Sequence, residues 1–161
     1  MANLVITSVC NLHCDYCFAR DSLGETEDGA FISLKTFEDR LDFLERSDIK
    51  DARLIGGEPG LHPHFGELLQ MAERRFQNIV VFSNGLLSDQ ALDALERLSP
   101  DRLTVMINLS TKRAIGALHE ADQSRRALVL RRLGTRAMTA LTIERVDFDF
   151  EPLSEQETAS S

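Results

Sequence analysis

The sequence predicts an α/β fold built on one parallel sheet. Short apolar and β-branched runs alternate along the chain with segments in which apolar residues recur every three or four positions, the period of amphipathic helices. Because the links between these segments are short, each helix is expected to join two parallel strands through a right-handed crossover. About five strands and four helices follow, which leaves a barrel, a partial barrel and a doubly wound sheet as candidate architectures.

The first half of the chain contains two predicted strands and two predicted helices. Residues 4–9 form the first strand and lead into a loop that carries the cysteines. Ser33 is expected to cap the first helix, residues 52–55 form the second strand, and the spacing across 65–76 predicts the second helix. The apolar stripe of the first helix consists of Leu34, Phe37, Leu41 and Leu44.

The second half repeats the pattern. Residues 79–82 form the third strand, and Ser88 is expected to cap the third helix. Residues 103–109 are almost continuously apolar, which predicts a strand buried on both faces. A fourth helix is expected within 114–133, followed by a fifth strand at 137–143.

Length and composition limit the domain count and the partners. The 161 residues, 43% of them hydrophobic, suffice for one core, so we predict one domain at 1–151 and a polar, mobile tail at 152–161. A net charge of −8 argues against nucleic acid as a partner. The N-terminus lacks a signal-peptide pattern and no run of about 18 apolar residues occurs, which predicts a cytoplasmic protein without membrane contact.

The cysteines point to a metal or cluster centre. Cys10, Cys14 and Cys17 are the chain's three cysteines and stand as C-N-L-H-C-D-Y-C, a spacing that lets one loop surround a soft metal. A four-iron cluster held by three thiolates keeps one iron open for a cofactor or substrate. Zinc is the alternative. Its candidate fourth ligands are His13, His62, His64 and His119.

Two polar motifs follow the second and third strands: Gly-Gly-Glu-Pro at 56–59 and Ser-Asn-Gly at 83–85. The carboxyl ends of parallel strands share one edge of a sheet, where such folds build their sites. With these motifs and its cysteine spacing, the chain resembles the radical S-adenosylmethionine (SAM) superfamily. The resemblance implies a partial (β/α) TIM-like barrel with parallel strands and about five βα units, one fewer than the usual core.

The resemblance also implies cofactors and chemistry. A [4Fe-4S] cluster on the three cysteines would bind SAM at its open iron, and reduction would split SAM into methionine and a 5′-deoxyadenosyl radical that abstracts hydrogen from a substrate. An electron donor such as flavodoxin or ferredoxin is implied. The sequence does not identify the substrate, but an open barrel side suggests a large one, such as a peptide, or a partner chain that completes the barrel.

The SAM contacts are assigned by the same resemblance. The Gly-Gly-Glu backbone is expected at the SAM ammonium group, with the Glu58 carboxylate as a further acceptor. Tyr16 and the backbone of Phe18 are expected near the adenine. Candidates for the ribose hydroxyls and the methionyl carboxylate are Ser83, Asn108 and Ser110. The predicted cofactor-binding set is Tyr16, Phe18, Gly56, Gly57, Glu58, Pro59, Ser83, Asn108 and Ser110.

Other interpretations stay open at this point. Since the pattern ends during or after its fifth unit, the chain is expected to be a fragment, a compact member closed by a partner, or a non-catalytic iron-sulfur or SAM-binding module. A zinc-binding module is a further alternative. His62 and His64 are expected at the surface or at a helix entry rather than in catalysis. A solvated helix face is predicted for Arg125, Arg126, Arg131 and Arg132.

Overall fold

The computed structural model describes residues 2–17, 29–109 and 120–143, and within them strands alternate with helices. The strands are β1 (Asn3–Thr7), β2 (Asp51–Gly56), β3 (Asn78–Ser83), β4 (Leu103–Asn108) and β5 (Ala137–Ala140). The helices are α1 (Leu34–Arg46), α2 (Phe65–Arg75), α3 (Asp89–Glu96) and α4 (Glu120–Leu133). The predicted tail at 152–161 and the start of the fourth predicted helix, 114–119, lie outside the described residues.

The strands form one parallel sheet in the order β1-β2-β3-β4-β5. Within the described residues β1 and β5 are its two edges and do not pair with each other, so the sheet is not closed. The predicted partial barrel with about five βα units is confirmed. No helix that the structure describes is long and apolar enough to span a membrane.

The core lies between one face of the sheet and the helices. Along β4 the buried residues Leu103, Val105 and Ile107 alternate with half-buried ones such as Met106. The prediction that this strand is buried on both faces is therefore wrong. Helices cover one face, whereas the described residues leave the other face of the open sheet partly exposed.

The helix caps follow the sequence signals. The side chain of Ser33 accepts a hydrogen bond from Thr36 N at 3.1 Å, and that of Ser88 accepts one from Ala91 N at 3.1 Å. Each satisfies a backbone donor that the first helical turn leaves without a partner. Both predicted caps are confirmed.

The arginines of α4 do not form the predicted solvated face. Arg125 pairs with Asp89 at 2.6 Å, and Arg132 pairs with acidic side chains of α3. Arg126 is buried, and Arg131 is exposed as expected. The prediction fails because α4 packs against α3 and against the loops at the carboxyl end of the sheet.

Candidate functional site

The three cysteines lie in the loop that follows β1, at the carboxyl end of the sheet. Cys10, Cys14 and Cys17 are half-buried, and none of them is in a disulfide. Cys10 Sγ accepts a hydrogen bond from Leu12 N at 3.4 Å, and Cys17 N donates to Cys14 O at 3.1 Å. Burial raises the pKa of the Cys10 thiol and the Leu12 N–H opposes that rise. Deprotonation of this thiol is therefore expected to accompany metal or cluster binding.

Two of the four histidines that are candidate zinc ligands, His62 and His64, lie at the entry of α2. His62 is 3% exposed, its Nε2 contacts Ile32 O at 2.9 Å, and its Nδ1 accepts from His64 N at 3.0 Å. His64 Nδ1 lies 2.9 Å from Glu67 Oε1. Both histidines lie at the helix entry, one of the two locations predicted for them, and His62 is buried there. His119 lies outside the described residues, among which no three His, Cys, Asp or Glu side chains group as ligands of one metal ion.

The loop after β2 packs directly on the backbone that leads to the cysteines. Gly57 N donates to Thr7 O at 2.9 Å, and Glu58 N donates to Val9 O at 2.7 Å. A Cβ on Gly56 would overlap Thr7 O, and one on Gly57 would overlap Val9 O. Glycine is needed at both positions because two backbone segments touch there. The strand β1 ends at Thr7, before the predicted residue 9.

The Glu58 carboxylate ties the β2 loop to the turn after β3. The side chain is 1% exposed, Oε1 accepts from Gly60 N at 3.2 Å, and Oε2 accepts from Asn84 N at 2.7 Å. Burial raises the pKa of Glu58 to about 7, while hydrogen bonds from Asn84, Gly60 and Ser83 oppose that rise. Pro59 is buried and begins the 3-10 helix Pro59–Leu61 that follows.

Asn84 joins the separate parts of the site. Its Nδ2 donates to Asn11 Oδ1 at 2.7 Å and lies 3.9 Å from Cys10 Sγ. Its Oδ1 accepts from Leu86 N at 2.8 Å, and its backbone O accepts from Arg126 Nε at 3.1 Å. The sequence prediction named the Ser-Asn-Gly turn but selected only its serine. The signal for Asn84 was the Asn-Gly pair at a strand end, which usually marks only a turn.

The hydroxyl of Ser83 is turned toward its own loop. The side chain is buried, and its Oγ accepts from Gly85 N at 3.0 Å. It also hydrogen-bonds to Glu58. These contacts give Ser83 a place in the turn that holds the site together.

Asn108 and Tyr16 are brought together at the carboxyl end of β4. Asn108 Nδ2 donates to Tyr16 OH at 3.1 Å and to Thr142 Oγ1 at 3.2 Å. Asn108 Oδ1 is buried without a hydrogen-bond partner among the described residues. A buried acceptor of this kind calls for a bound polar group. Phe18 and Ser110, predicted for the same region, lie outside the described residues.

Arg126 is a residue of the site that the sequence prediction placed in solvent. It is 8% exposed, donates from Nε to Asn84 O, and has no partner for its buried Nη2 among the described residues. Burial lowers its pKa, while interactions with Tyr16, Cys14 and Asp122 oppose that fall. The signal in the sequence was that Arg126 stands three and seven positions before Val129 and Leu133, a spacing that puts the three residues on one face of a helix. The buried face of α4 consists of Arg126, Val129 and Leu133.

The donor set fits an iron-sulfur cluster with a polar cofactor beside it. Three thiols on one loop suit iron and sulfide. The unpartnered acceptor of Asn108 and the unpartnered N–H of Arg126, both buried among the described residues, suit a ligand that carries hydroxyl and carboxylate groups.

Comparison with protein families agrees with this geometry. The model of the Radical SAM superfamily matches residues 4–145, a range that includes the three cysteines and both polar motifs. The chain belongs to the radical SAM superfamily. The cofactors of this family are a [4Fe-4S] cluster and SAM, which confirms the two cofactors predicted for the chain.

Individual relatives are distant. The chain is 26% identical over 122 residues to a GTP 3′,8-cyclase of Chlorobaculum tepidum, covering 74% of the chain and 36% of that protein. It is 25% identical over 143 residues to the subtilosin biosynthesis protein AlbA of Bacillus subtilis, covering 89% and 29%. SuiB of Streptococcus suis, solved with SAM, superposes with a TM-score of 0.73 at 18% identity over 98% of the chain and 36% of SuiB. The chain thus spans about a third of these proteins.

Proposed function

We propose that the chain is the cofactor-binding core of a radical SAM enzyme that abstracts hydrogen from its substrate. The observation that carries this proposal is the joining of the cysteine loop, the β2 loop and the β3 turn by Asn84 and Glu58. When bound, the reduced cluster supplies an electron that splits SAM into methionine and a 5′-deoxyadenosyl radical. The protein residues then bind, orient and shield the reactants.

The cluster and the polar ends of SAM are assigned to specific residues. Cys10, Cys14 and Cys17 would hold the cluster. The unpartnered Nη2 of Arg126 suits the methionyl carboxylate, since a buried guanidinium requires an anion or an acceptor. The unpartnered Oδ1 of Asn108 suits a ribose hydroxyl, which can donate to it.

The β2 loop is proposed to hold the ammonium group of SAM. The backbone N–H groups of Gly57 and Glu58 already donate to Thr7 O and Val9 O. The backbone groups of this loop that can contact a ligand are therefore its carbonyl oxygens. An ammonium group has only donors and therefore needs such acceptors. The Glu58 carboxylate is proposed to act indirectly, because its hydrogen bonds hold the β2 loop to the β3 turn. Pro59 is proposed to act indirectly as well, because it begins the 3-10 helix that follows the loop.

The remaining contacts complete the proposal. Tyr16, which accepts a hydrogen bond from Asn108, is proposed to cover the adenine with its ring, and Phe18 and Ser110 are proposed as further contacts. Ser83 contributes through the β3 turn, because its hydroxyl already hydrogen-bonds to Glu58 and accepts from Gly85 N.

A peptide is the substrate class that we propose. AlbA is described as a bacteriocin biosynthesis protein, and SuiB has been solved bound to its precursor peptide SuiA. The half-buried side chains of Thr104 and Met106, on the face of β4 opposite the buried residues, are proposed as part of the surface that contacts such a substrate. A cytoplasmic location, an electron donor such as flavodoxin or ferredoxin, and a partner chain that completes the barrel belong to the same proposal.

The test is anaerobic reconstitution with iron and sulfide, followed by dithionite reduction with SAM. We expect about four irons per chain and formation of 5′-deoxyadenosine. Cys14→Ala should abolish the product, while Phe43→Ala, a change at an exposed position of α1, should not. A fully loaded cluster that yields no 5′-deoxyadenosine would contradict the enzyme. Stoichiometric zinc without a brown chromophore would contradict the cluster.

A further inference from the structure

One buried cation lies beside the cysteine loop. Arg126 comes from α4, and its guanidinium reaches over the β3 turn to donate from Nε to Asn84 O at 3.1 Å. Gly85, with φ of +82°, leaves room for it: a Cβ there would lie 3.2 Å from Arg126 Cγ. The position of the guanidinium is therefore fixed by the turn as well as by the helix.

This arginine differs from its neighbours on α4. Arg125 and Arg132 form ion pairs with carboxylates of α3. Nη2 is buried without a partner in both Arg125 and Arg126, but Arg126 alone of these three arginines has no ion pair among the described residues. A buried charge without an anion is costly, so the feature is not explained by helix packing. The electrostatic interactions of Arg126 include Cys14, a predicted cluster ligand.

A second donor faces the same loop. Asn84 Nδ2 lies 3.9 Å from Cys10 Sγ, and the orientation of this amide is fixed because Oδ1 accepts from Leu86 N at 2.8 Å. The N–H side therefore points to the sulfur and to Asn11. Through the Arg126 contact to the Asn84 carbonyl, the two residues form one unit.

We propose that Asn84 and Arg126 act as positioning residues that raise the reduction potential of the cluster on Cys10, Cys14 and Cys17. This inference rests on the proposed function. Taking up an electron makes the cluster more negative, and both a nearby positive charge and hydrogen bonds to the sulfurs stabilise the reduced form. The reduced form of a cluster held by these cysteines would be the one that supplies the electron for SAM cleavage.

The test is a redox titration of the reconstituted, SAM-free protein, followed by electron paramagnetic resonance. Arg126→Gln removes the charge but keeps an amide donor for Asn84 O, and we expect the ratio of reduced to oxidised cluster at a fixed solution potential to fall roughly tenfold. For a one-electron couple that is about 59 mV. Arg126→Lys, which keeps the charge, should stay close to wild type.

Asn84→Asp tests the second donor. It keeps the oxygen that accepts from Leu86 N, removes the donor near Cys10 and adds a negative charge, so the potential should fall again. Arg132→Gln is the control, because it is on the same helix but pairs with Asp93 and Glu96. It should leave the potential unchanged.

The outcomes separate this inference from the proposed function. A wild-type chain that takes up no cluster overturns both. Fully loaded variants with the wild-type potential overturn the inference alone, and so does an equal fall for Arg126→Lys and Arg126→Gln, since that would show packing rather than charge. If one variant fails to load, the other position decides: an unshifted potential there overturns the inference.

Discussion

Glu58 shows how one buried carboxyl group shapes the site. Its carboxylate receives hydrogen bonds from two loops, yet burial raises its pKa to about 7, above its ordinary value of 4.5. The folded chain therefore holds this proton more tightly than the unfolded chain does between those two pH values. Ionisation of Glu58 is opposed by folding even though hydrogen bonds favour the ionised form.

A pH-dependent stability follows for the cluster-free protein. Below pH 4.5 Glu58 is protonated in both states, and as the pH rises towards 7 the unfolded state ionises first, so stability is lost. The loss is on the order of 3 kcal/mol at most. Glu58→Gln should lack it, so the free energy of unfolding of this variant should rise relative to wild type from pH 4.5 to 8. Urea titrations at several pH values measure this.

The control for this experiment is Asp101→Asn, a change at an exposed position. Its stability relative to wild type should vary little over the same pH range. If the difference between Glu58→Gln and wild type is constant with pH, the raised pKa of Glu58 is contradicted.

Among single residues, those with local signals could be predicted and those with distant partners could not. The cysteine motif and the caps Ser33 and Ser88 are local signals, because the residues involved lie within a few positions of one another. Asn84 and Arg126 take their roles from partners 74 and 42 positions apart along the chain, respectively. In the sequence, an arginine in an arginine-rich helix resembles a surface residue. Its place on a buried face depends on how α4 packs.

Among the elements, the β2 loop has the tightest constraint. Backbone runs against backbone there, with Gly57 N hydrogen-bonded to Thr7 O. The two glycines were predicted from resemblance as SAM contacts, whereas the structure gives them a structural role as well, because they let the second βα unit touch the cysteine loop. Sequence alone could not distinguish the two roles, since both require a residue without a side chain.

Gly57→Ala tests this contact. A Cβ at this position would overlap Val9 O and lie 2.9 Å from Cys10 N, so the cysteine loop must shift. We expect a loss of about 1–3 kcal/mol in the free energy of unfolding and a lower iron content after reconstitution. Gly66→Ala is the matched control, because it lies in α2 and its Cβ would meet Ala94 Cβ at 3.4 Å. Wild-type iron content in Gly57→Ala would contradict the assigned role.

For the strands, the sequence predicted the face that packs against the helices better than it predicted the burial of the opposite face. Alternating burial along β1, β2, β3 and β4 shows which side of each of these strands meets the helices, because that face is apolar, whereas β5 has no buried residue. The burial of β4 on both faces was wrong, because its apolar sequence does not say whether anything covers the second face. Whether a sheet closes into a barrel depends on how its first and last strands pair, which the sequence of one strand does not show.

At the scale of the whole molecule, the site belongs to no single element. The cysteine loop follows β1, the Gly-Gly-Glu-Pro loop follows β2, Asn84 follows β3, and Asn108 ends β4. Arg126 adds a contact from α4. A group bound among them would therefore hold together the carboxyl ends of neighbouring βα units in an open sheet. Among the described residues β1 and β5 do not pair, so the sheet lacks the closure that a complete barrel would give it.

Cluster loading should accordingly stabilise the whole fold. A ligand that binds only the folded chain, at a free concentration about a hundred times its Kd, adds about 2.7 kcal/mol to the free energy of unfolding. For a domain of this size that raises the Tm by roughly 5–10 °C. Anaerobic thermal unfolding of apo and reconstituted protein measures the shift. Cys14→Ala, carried through the same reconstitution, should keep its apo Tm. A loaded wild type that unfolds at the apo temperature would show that the cluster binds a local loop without coupling the units, and the joining of the βα units through the site would be contradicted.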